Sequence, residues 1–553
     1  MSDYPFDLGA HGRPVTTAVA KAQAWFDRGL VWTYGFHHAE AIACFRRALE
    51  ADPDCAMAWW GIAYATGPNY NLTWDLMDGP TRAAVLSEAH AATAAGLRAA
   101  GASAEERALL EALSARYPQA DPIDDMSCWN DAYADAMRAV HAAYPEDLDI
   151  AALFVEALMD RTPWRMWDLT TGGPAPGADT AEARAVLETA FRRTPAAWDH
   201  PGLLHLYVHL MEMSPVPEKA LRHADRLRTL VPDAGHLVHM ASHIDILVGA
   251  YSDVLRSNHA AIAADRKWYD REGGMDFYTA YRQHDYHFAI YGAMFLGQYA
   301  PALAAADEMI ATTPEALLRM PSPPMADYME SYLAMRPHVF IRFGKWHELI
   351  AEPLPHDAEL YANLTATLHY AKGVACAALG RIAEAEAHQR DFHAAWARVP
   401  ETRLLHNNRC VDLLGIAAEM LAGEIAYRKG DHDVAFDHLR RSVTLDDGLP
   451  YDEPWGWMQP ARHALGALLL EQGRLDEAEA VYREDLGLGG HLPRSSIHPD
   501  NVWSLKGLHD CLSRQGRVAE AAALRPRLDI ALARADVSVG ASCFCARAAA
   551  HQA

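Results

Sequence analysis

The sequence predicts an all-α fold in which antiparallel helix pairs stack into a single α-solenoid, or superhelix. Three observations lead to this prediction. Amphipathic helical segments follow one another along the chain, glycine recurs at the turns between them, and runs of β-branched residues are scarce. Because a stack of repeats grows without enlarging one core, a length of 553 residues does not require several domains.

The N-terminal segment 25–67 is the clearest single unit. Its first helix ends at a glycine, its second carries Ala and Phe on the inner face, and Pro53 begins the next helix. This pattern resembles a tetratricopeptide (TPR) unit. The predicted architecture is therefore a TPR-like solenoid.

Glycines mark the later turns of the predicted repeats. Each stands before an aromatic residue or Arg and an amphipathic helix, and they are Gly249, Gly297, Gly344, Gly380, Gly430, Gly473 and Gly516. Glycine suits these positions because a tight turn between helices needs a positive φ. All six intervals between these glycines, from 36 to 50 residues, exceed the roughly 34 residues of the standard unit, which predicts longer helices or connections.

We expect one solenoid over 1–553 with no sharp domain boundary. Its segments are the N-terminal unit (25–67), an irregular helical part (68–200), His-rich repeats (201–303), C-terminal repeats (304–535) and a tail (536–553). The tail contains Cys543 and Cys545 and is expected to be exposed. Two thiolates at this spacing could hold Cu(I) or Zn, or form a disulfide.

The amino-acid composition argues against several classes of function. The net charge of −24, from 73 acidic and 49 basic residues, makes nucleic acid an improbable partner because phosphates would be repelled. Eight scattered cysteines suggest a reducing cytoplasm. We find no secretory signal and no run of apolar residues long enough for a membrane span, so no membrane partner is expected.

Seven histidines are the most informative feature of the chain. They form three runs with helical spacing, so each run should lie on one helix face: His205, His209, His236, His239, His243, His284 and His287. His239 precedes Gly249 by the same interval as His287 precedes Gly297. His338 could continue this series in the next repeat. Equivalent positions on successive first helices should converge on the concave face of the solenoid.

Converging imidazoles predict a transition-metal centre. Such ligands suit copper, zinc, nickel or iron and exclude calcium and magnesium, and we favour copper, with zinc or iron as alternatives. Glu212 is a candidate base, Asp245 could orient a ring or bind the metal, and Tyr207 and Tyr286 could donate protons or hydrogen bonds. His38 and the two tail cysteines could join the site.

Several phrases together look like a widespread family of long bacterial TPR proteins. The matching phrases are CAMAWWGIAYATGPNYN (55–71), HLYVHLMEMSP (205–215), AGHLVHMASHIDILVG (234–249), HDYHF (284–288), LPYDEPWGWMQP (449–460) and NVWSLKGL (501–508). The resemblance implies a TPR-like helical fold but no particular activity. This chain departs from the family pattern at Ala241, Asp245, Leu247 and Asp285, where the family tends to have Pro, an aromatic residue, Arg and Asn.

The leading hypothesis is a metalloenzyme that acts on a small-molecule substrate. Copper- or iron-dependent oxidation is favoured over zinc-dependent hydrolysis. The alternative from another class is a TPR scaffold that binds a peptide or protein in its concave groove, with a protein partner or homodimer. Metal storage or sensing is a third hypothesis.

Overall fold

The structure is a computed structural model that describes residues 4–546. Helices account for nearly all of the regular structure of these residues, which confirms the all-α prediction. The two strands in this part of the chain, β1 (Leu404–Leu405) and β2 (Asn408–Arg409), form one short antiparallel hairpin.

Most helices of the N-terminal half follow one another with short connections. The helices of this half are α1 (Ala20–Tyr34), α2 (His38–Ala51), α3 (Ala56–Thr66), α4 (Gly79–Arg98), α5 (Ala104–Arg116), α6 (Ser127–Ala143), α7 (Leu148–Met159), α8 (Thr180–Arg193), α9 (Pro201–Glu212), α10 (Leu221–Leu227), α11 (Gly235–His239), α12 (Ala241–Leu247) and α13 (Tyr251–Glu272). The longest connection, 160–179, joins α7 to α8. Short 3₁₀ helices lie at Trp74–Leu76, Pro195–Asp199 and Pro217–Ala220. Short connections between consecutive helices favour antiparallel pairs.

The helices of the C-terminal half continue this pattern. They are α14 (Tyr278–Leu296), α15 (Tyr299–Ala311), α16 (Glu315–Leu318), α17 (Met325–Met329), α18 (Met335–Arg342), α19 (Trp346–Ala351), α20 (Ala362–Ala378), α21 (Ile382–Trp396), α22 (Cys410–Lys429), α23 (His432–Asp447), α24 (Ala461–Glu471), α25 (Leu475–Asp485), α26 (Val502–Arg514) and α27 (Val518–Arg534). Two further 3₁₀ helices lie at Glu330–Ala334 and Arg494–Ser496. Among the helices of residues 4–546, none combines the length and the apolar character needed to cross a membrane.

The chain divides into two compact units. The first unit contains the chain up to Ile244, together with His259–Tyr278 and Pro321–Pro323. The second unit contains Asp245–Asn258, Thr279–Met320 and the chain from Pro324 onward. The division into five segments within one solenoid stays a prediction.

The turn glycines have the backbone conformation that the sequence predicts. All seven have positive φ angles, from 63° at Gly344 to 90° at Gly430. At Gly430 the residue ends α22 in the left-handed region, and its N–H bonds to the carbonyl of Tyr427. A residue with a Cβ would be strained there, which explains the recurrence of glycine.

The first helix pair shows how small residues allow close packing. Phe45 of α2 is fully buried, and its ring lies against Gly29 of α1 and Gly61 of α3. A Cβ on either glycine would come within 2.6 Å of this ring. The three helices can therefore approach one another only because these positions lack side chains.

Candidate metal centre

Helix α9 presents two histidines on one face. Pro201 occupies its first turn, where a missing N–H costs nothing, and the Nδ1 atom of His200 accepts a hydrogen bond from the backbone N–H of Leu203 at 3.2 Å. His209 lies four positions after His205, so both rings lie on the same side of the helix, with centroids 4.8 Å apart.

Three more histidines of the first unit complete what we call the five-histidine cluster. His236 and His239 lie on α11 and His243 on α12. The ring centroid of His236 lies 5.1 Å from that of His205, and the rings of His239 and His243 are 4.7 Å apart. All five side chains are buried. The rings are therefore removed from bulk water.

Hydrogen bonds fix the orientation of three of these rings. The Nδ1 atom of His205 lies 2.7 Å from the carbonyl oxygen of Tyr34, which can only accept a hydrogen bond. The carboxylate of Glu212 bridges two rings, with Oε1 at 2.9 Å from Nδ1 of His209 and Oε2 at 2.7 Å from Nδ1 of His243. In each case Nδ1 carries the proton, so the lone pair available to a ligand is on Nε2.

The Nε2 atoms of His205 and His209 have no hydrogen-bond partner among residues 4–546, although both are buried. Burial lowers the pKa of His205 to about 3. It also holds the pKa of His209 well below the usual range, and the neighbouring histidines add to this effect. Both rings are therefore neutral at physiological pH, which is the form that binds a metal.

Three ring nitrogens come together at this point. His205, His209 and His236 each offer one nitrogen, and these atoms lie within 4.8 Å of one another. Beside them, the Nε2 atoms of His239 and His243 are 2.7 Å apart and share one proton between them. The first unit thus concentrates five imidazoles in one buried volume.

Aromatic side chains enclose the cluster. The ring of Phe36 lies 4.5 Å from that of His205, and the rings of Tyr70 and Trp164 lie 5.2 and 5.5 Å from that of His209. Phe36 and Trp164 have φ angles of 54° and 59°, in a region that residues with a Cβ rarely adopt. Strained backbone of this kind is concentrated at functional sites. Phe36 and Trp164 were not predicted, because no spacing rule connects them to the histidines.

A second polar cluster in the first unit was also missed. Oδ1 of Asp149 lies 3.1 Å from Nε2 of His11 and 3.0 Å from Nε2 of His200, and it accepts the hydroxyl hydrogen of Tyr34 at 2.6 Å. Arg13 donates to the other carboxylate oxygen at 3.2 Å. These donors hold the pKa of Asp149 well below its usual range, although burial alone would raise it. Since its acceptor sites are already used, we assign this cluster a structural role.

The remaining predicted ligands lie in the second unit. His284 and His287 are buried on α14. The ring of His284 lies 5.4 Å from that of His406, and Nε2 of His287 lies 2.8 Å from the sulfur of Met458. Two of the proposed catalytic residues, Tyr286 on α14 and Asp245 on α12, are also buried there. Their roles stay predictions.

Three other candidates have neighbours outside the five-histidine cluster. The hydroxyl of Tyr207 lies 3.4 Å from Glu188. Nδ1 of His38 lies 3.4 Å from the amide nitrogen of Asn69, and the ring of His338 packs edge-on against a tryptophan of the second unit. These contacts are packing interactions and local hydrogen bonds.

Residues 536–546 of the tail differ from the expectation of an exposed segment, and residues 547–553 lie outside the described part of the chain. Cys543 and Cys545 form a disulfide, and Ser542, Phe544 and Cys545 are buried in the second unit. The expectation failed because spacing of cysteines carries no information on where a terminal segment packs.

Residues 22–55 match the family model described as Tetratricopeptide repeat. The match falls on α1 and α2, the pair that the sequence analysis identified as the clearest unit. The chain is therefore an all-α protein of helix pairs that contains a TPR-type repeat.

Two solved structures are similar over most of the chain. One is the structure of Naa15/Naa10 bound to HypK-THB, with 14% identity over 92% of this chain and 70% of that chain, and a TM-score of 0.22. The other is the crystal structure of the APC/C hetero-tetramer Cut9-Hcn1, with 12% identity over 92% of this chain and 96% of that chain, and a TM-score of 0.27. TM-scores this low support no inference about function. No curated protein matches the chain.

Proposed function

We propose that the five-histidine cluster binds a transition-metal ion, with His205, His209 and His236 as ligands. The observation that carries the proposal is the convergence of one nitrogen from each ring to within 4.8 Å. The anchored Nδ1 atoms of His205 and His209 add to it, because they direct the lone pairs of Nε2 into the same buried volume.

The distances require only a small adjustment. Metal–nitrogen bonds of about 2.0–2.1 Å place the ligand atoms of a tetrahedral site roughly 3.3 Å apart. Rotations that move ring nitrogens by about one ångström would bring the three atoms to that separation. His239 and His243 stand beside them as additional ligands, and His284 and His287 stay predicted ligands.

An imidazole-rich site favours copper, with zinc or iron as alternatives. Copper or iron bound here would supply oxidation of a small molecule, and zinc would supply Lewis-acid catalysis. The residues of the chain would hold the ion, orient the rings through Glu212 and the carbonyl of Tyr34, and exclude water through Phe36 and Trp164. The substrate and the reaction remain part of the proposal.

The test is elemental analysis of protein purified without an affinity tag. Wild type should contain a stoichiometric transition metal, or gain thermal stability on addition of Cu, Zn or Fe. His205→Gln and His236→Gln should abolish both effects. His223→Gln is the matched control, because His223 is a buried histidine of the same unit outside the cluster. A metal-free protein whose stability none of the three ions changes would contradict the proposal.

A second candidate function is a scaffold that binds a protein partner. The repeat match at 22–55 supports this function directly, whereas the metal site rests on side-chain geometry alone. Native purification with mass determination by light scattering tests it, and a stoichiometric partner or a homodimer is expected. A chain that stays monomeric and alone at micromolar concentration would count against this function.

Metal storage or sensing is the third hypothesis. It would give metal binding without turnover of a substrate.

A further inference from the structure

Residues 536–546 of the C-terminal tail are packed into the second unit by side chains and backbone. The hydroxyl of Ser542 donates to the carbonyl of His463 at 2.7 Å and lies 2.7 Å from the hydroxyl of Tyr482. Phe544 packs against Trp503, and its Cβ approaches Gly344 so closely that a Cβ at that glycine would be 2.8 Å away. This part of the tail therefore has a defined position in the second unit and is not a loose surface segment.

The disulfide of this tail does not join distant parts of the chain. Cys543 and Cys545 are two residues apart, so the bond encloses Phe544 alone. A disulfide stabilises a fold mainly by restricting long loops of the unfolded chain, and a loop this short gives almost no such effect. A different role for the bond must be sought in its surroundings.

Two arginines hold the backbone on either side of the disulfide. Both cysteines line a cleft of the second unit together with Arg342, Glu424 and His463. Arg342 donates a hydrogen bond to the carbonyl of Ser542, and Arg428 donates one to the carbonyl of Cys545. Arg428 is ion-paired with Glu424, so Arg342 is the cation of this cleft that is left to favour the thiolate form of a cysteine.

One sulfur is also stabilised by the backbone. The N–H of Cys545 donates to Sγ of Cys543 at 3.1 Å. This donor would stabilise negative charge on Cys543 more than on Cys545. Cys543 is therefore the better leaving group when the disulfide is attacked.

We propose that Cys543 and Cys545 are a reversible thiol–disulfide site that exchanges with small thiols and fastens the tail when oxidised. The thiolate of a small thiol attacks Sγ of Cys545, the S–S bond breaks, and its electron pair passes to Sγ of Cys543. A second small thiol then displaces Cys545. The products are the protein dithiol and a small-molecule disulfide, so two electrons and two protons pass to the protein.

Reduction should loosen the tail. The closed ring restricts the backbone around Phe544, and opening it restores rotational freedom that opposes the packing of this side chain. Local release of the tail would expose the segment that follows α27, which ends at Arg534. The proposal is independent of the metal site, because it uses residues of the second unit only.

The first measurement is alkylation of the native full-length protein before and after incubation with glutathione, followed by peptide mass spectrometry. Cys128 is an exposed free cysteine and serves as the internal standard, since it reacts in both states. We expect Cys543 and Cys545 to be protected before reduction and alkylated after it. Absence of the disulfide under oxidising conditions, or its resistance to glutathione, would overturn the proposal.

The second measurement is tryptic cleavage after Arg534. Reduction should accelerate it roughly tenfold, because cleavage follows the population of the released tail. The Cys543→Ser/Cys545→Ser double variant should be cleaved at the fast rate in both conditions. Equal rates for oxidised and reduced wild type, or a response to glutathione in the double variant, would exclude the fastening role.

Discussion

The carboxylate of Glu212 lies 2.9 Å from Nδ1 of His209, and through its second oxygen it also holds His243 at 2.7 Å. One buried acidic side chain therefore orients two imidazoles of the five-histidine cluster. The amide of a glutamine cannot replace this carboxylate. Both histidines donate a hydrogen bond through Nδ1, and the amide nitrogen, which also donates, cannot accept one of these bonds. Glu212 is thus the residue on which the geometry of the proposed site most depends.

Glu212→Gln should lower metal affinity by roughly 10–100-fold, since one ring loses its acceptor and its fixed tautomer. The unpaired donor should also cost about 1–3 kcal/mol of unfolding free energy. Metal titration and urea denaturation measure the two effects. Glu156→Gln is the control, because Glu156 is a buried glutamate of the same unit that accepts a hydrogen bond from Tyr64. Equal metal affinity in wild type and Glu212→Gln would refute this role.

Asp149→Asn should destabilise the first unit by about 3–5 kcal/mol, because the change removes a buried charge on which Arg13 and two histidines converge. The exposed Asp135 gives the control, and Asp135→Asn should stay within about 0.5 kcal/mol of wild type. Urea denaturation followed by circular dichroism measures both. A similar loss of unfolding free energy in the two variants would show that the Asp149 cluster contributes no more to stability than an exposed carboxylate does.

His223 should make stability depend on pH in a defined window. Its ring lies between Phe191, Trp198 and Tyr207, and burial lowers its pKa to about 4. In the unfolded chain the pKa is near 6.5. The unfolded state therefore takes up a proton first as the pH falls from about 6.5 to 4, and up to about 3 kcal/mol of stability is lost.

Comparison with His223→Gln isolates this contribution. The variant lacks the titrating ring, so the difference in unfolding free energy between it and wild type should change across that pH range and level off above about 7. A difference that is constant from pH 4 to 7 would mean that the ring is accessible to protons in the folded state.

Two turn glycines provide a matched pair for backbone and packing effects. A Cβ at Gly380 would meet no atom within 4 Å, whereas one at Gly344 would collide with Phe544 of the tail. Gly380→Ala should cost about 1–2 kcal/mol through its positive φ alone. Gly344→Ala should cost about 2–5 kcal/mol, since overpacking adds to the backbone strain. Thermal unfolding measures both, and equal losses would place Phe544 away from Gly344.

The helical fold was largely predictable from local signals. Turn glycines, amphipathic periods and the spacing of His205 and His209 depend on residues within one or two helical turns of each other. The interactions that orient the rings were less predictable. Tyr34 and Glu212 contact the histidines through a backbone carbonyl and a carboxylate, and neither contact leaves a periodic trace in the sequence.

By itself, the sequence determined the all-α class, the positions of the turns and the faces on which the histidines lie, because these follow from propensity and periodicity within each helix. Only the tertiary structure decided that the five-histidine cluster is buried, that Asp149 gathers His11 and His200, and that the cysteine tail packs into the second unit. These features join residues far apart in the chain, and such contacts depend on how helices pack and not on local spacing.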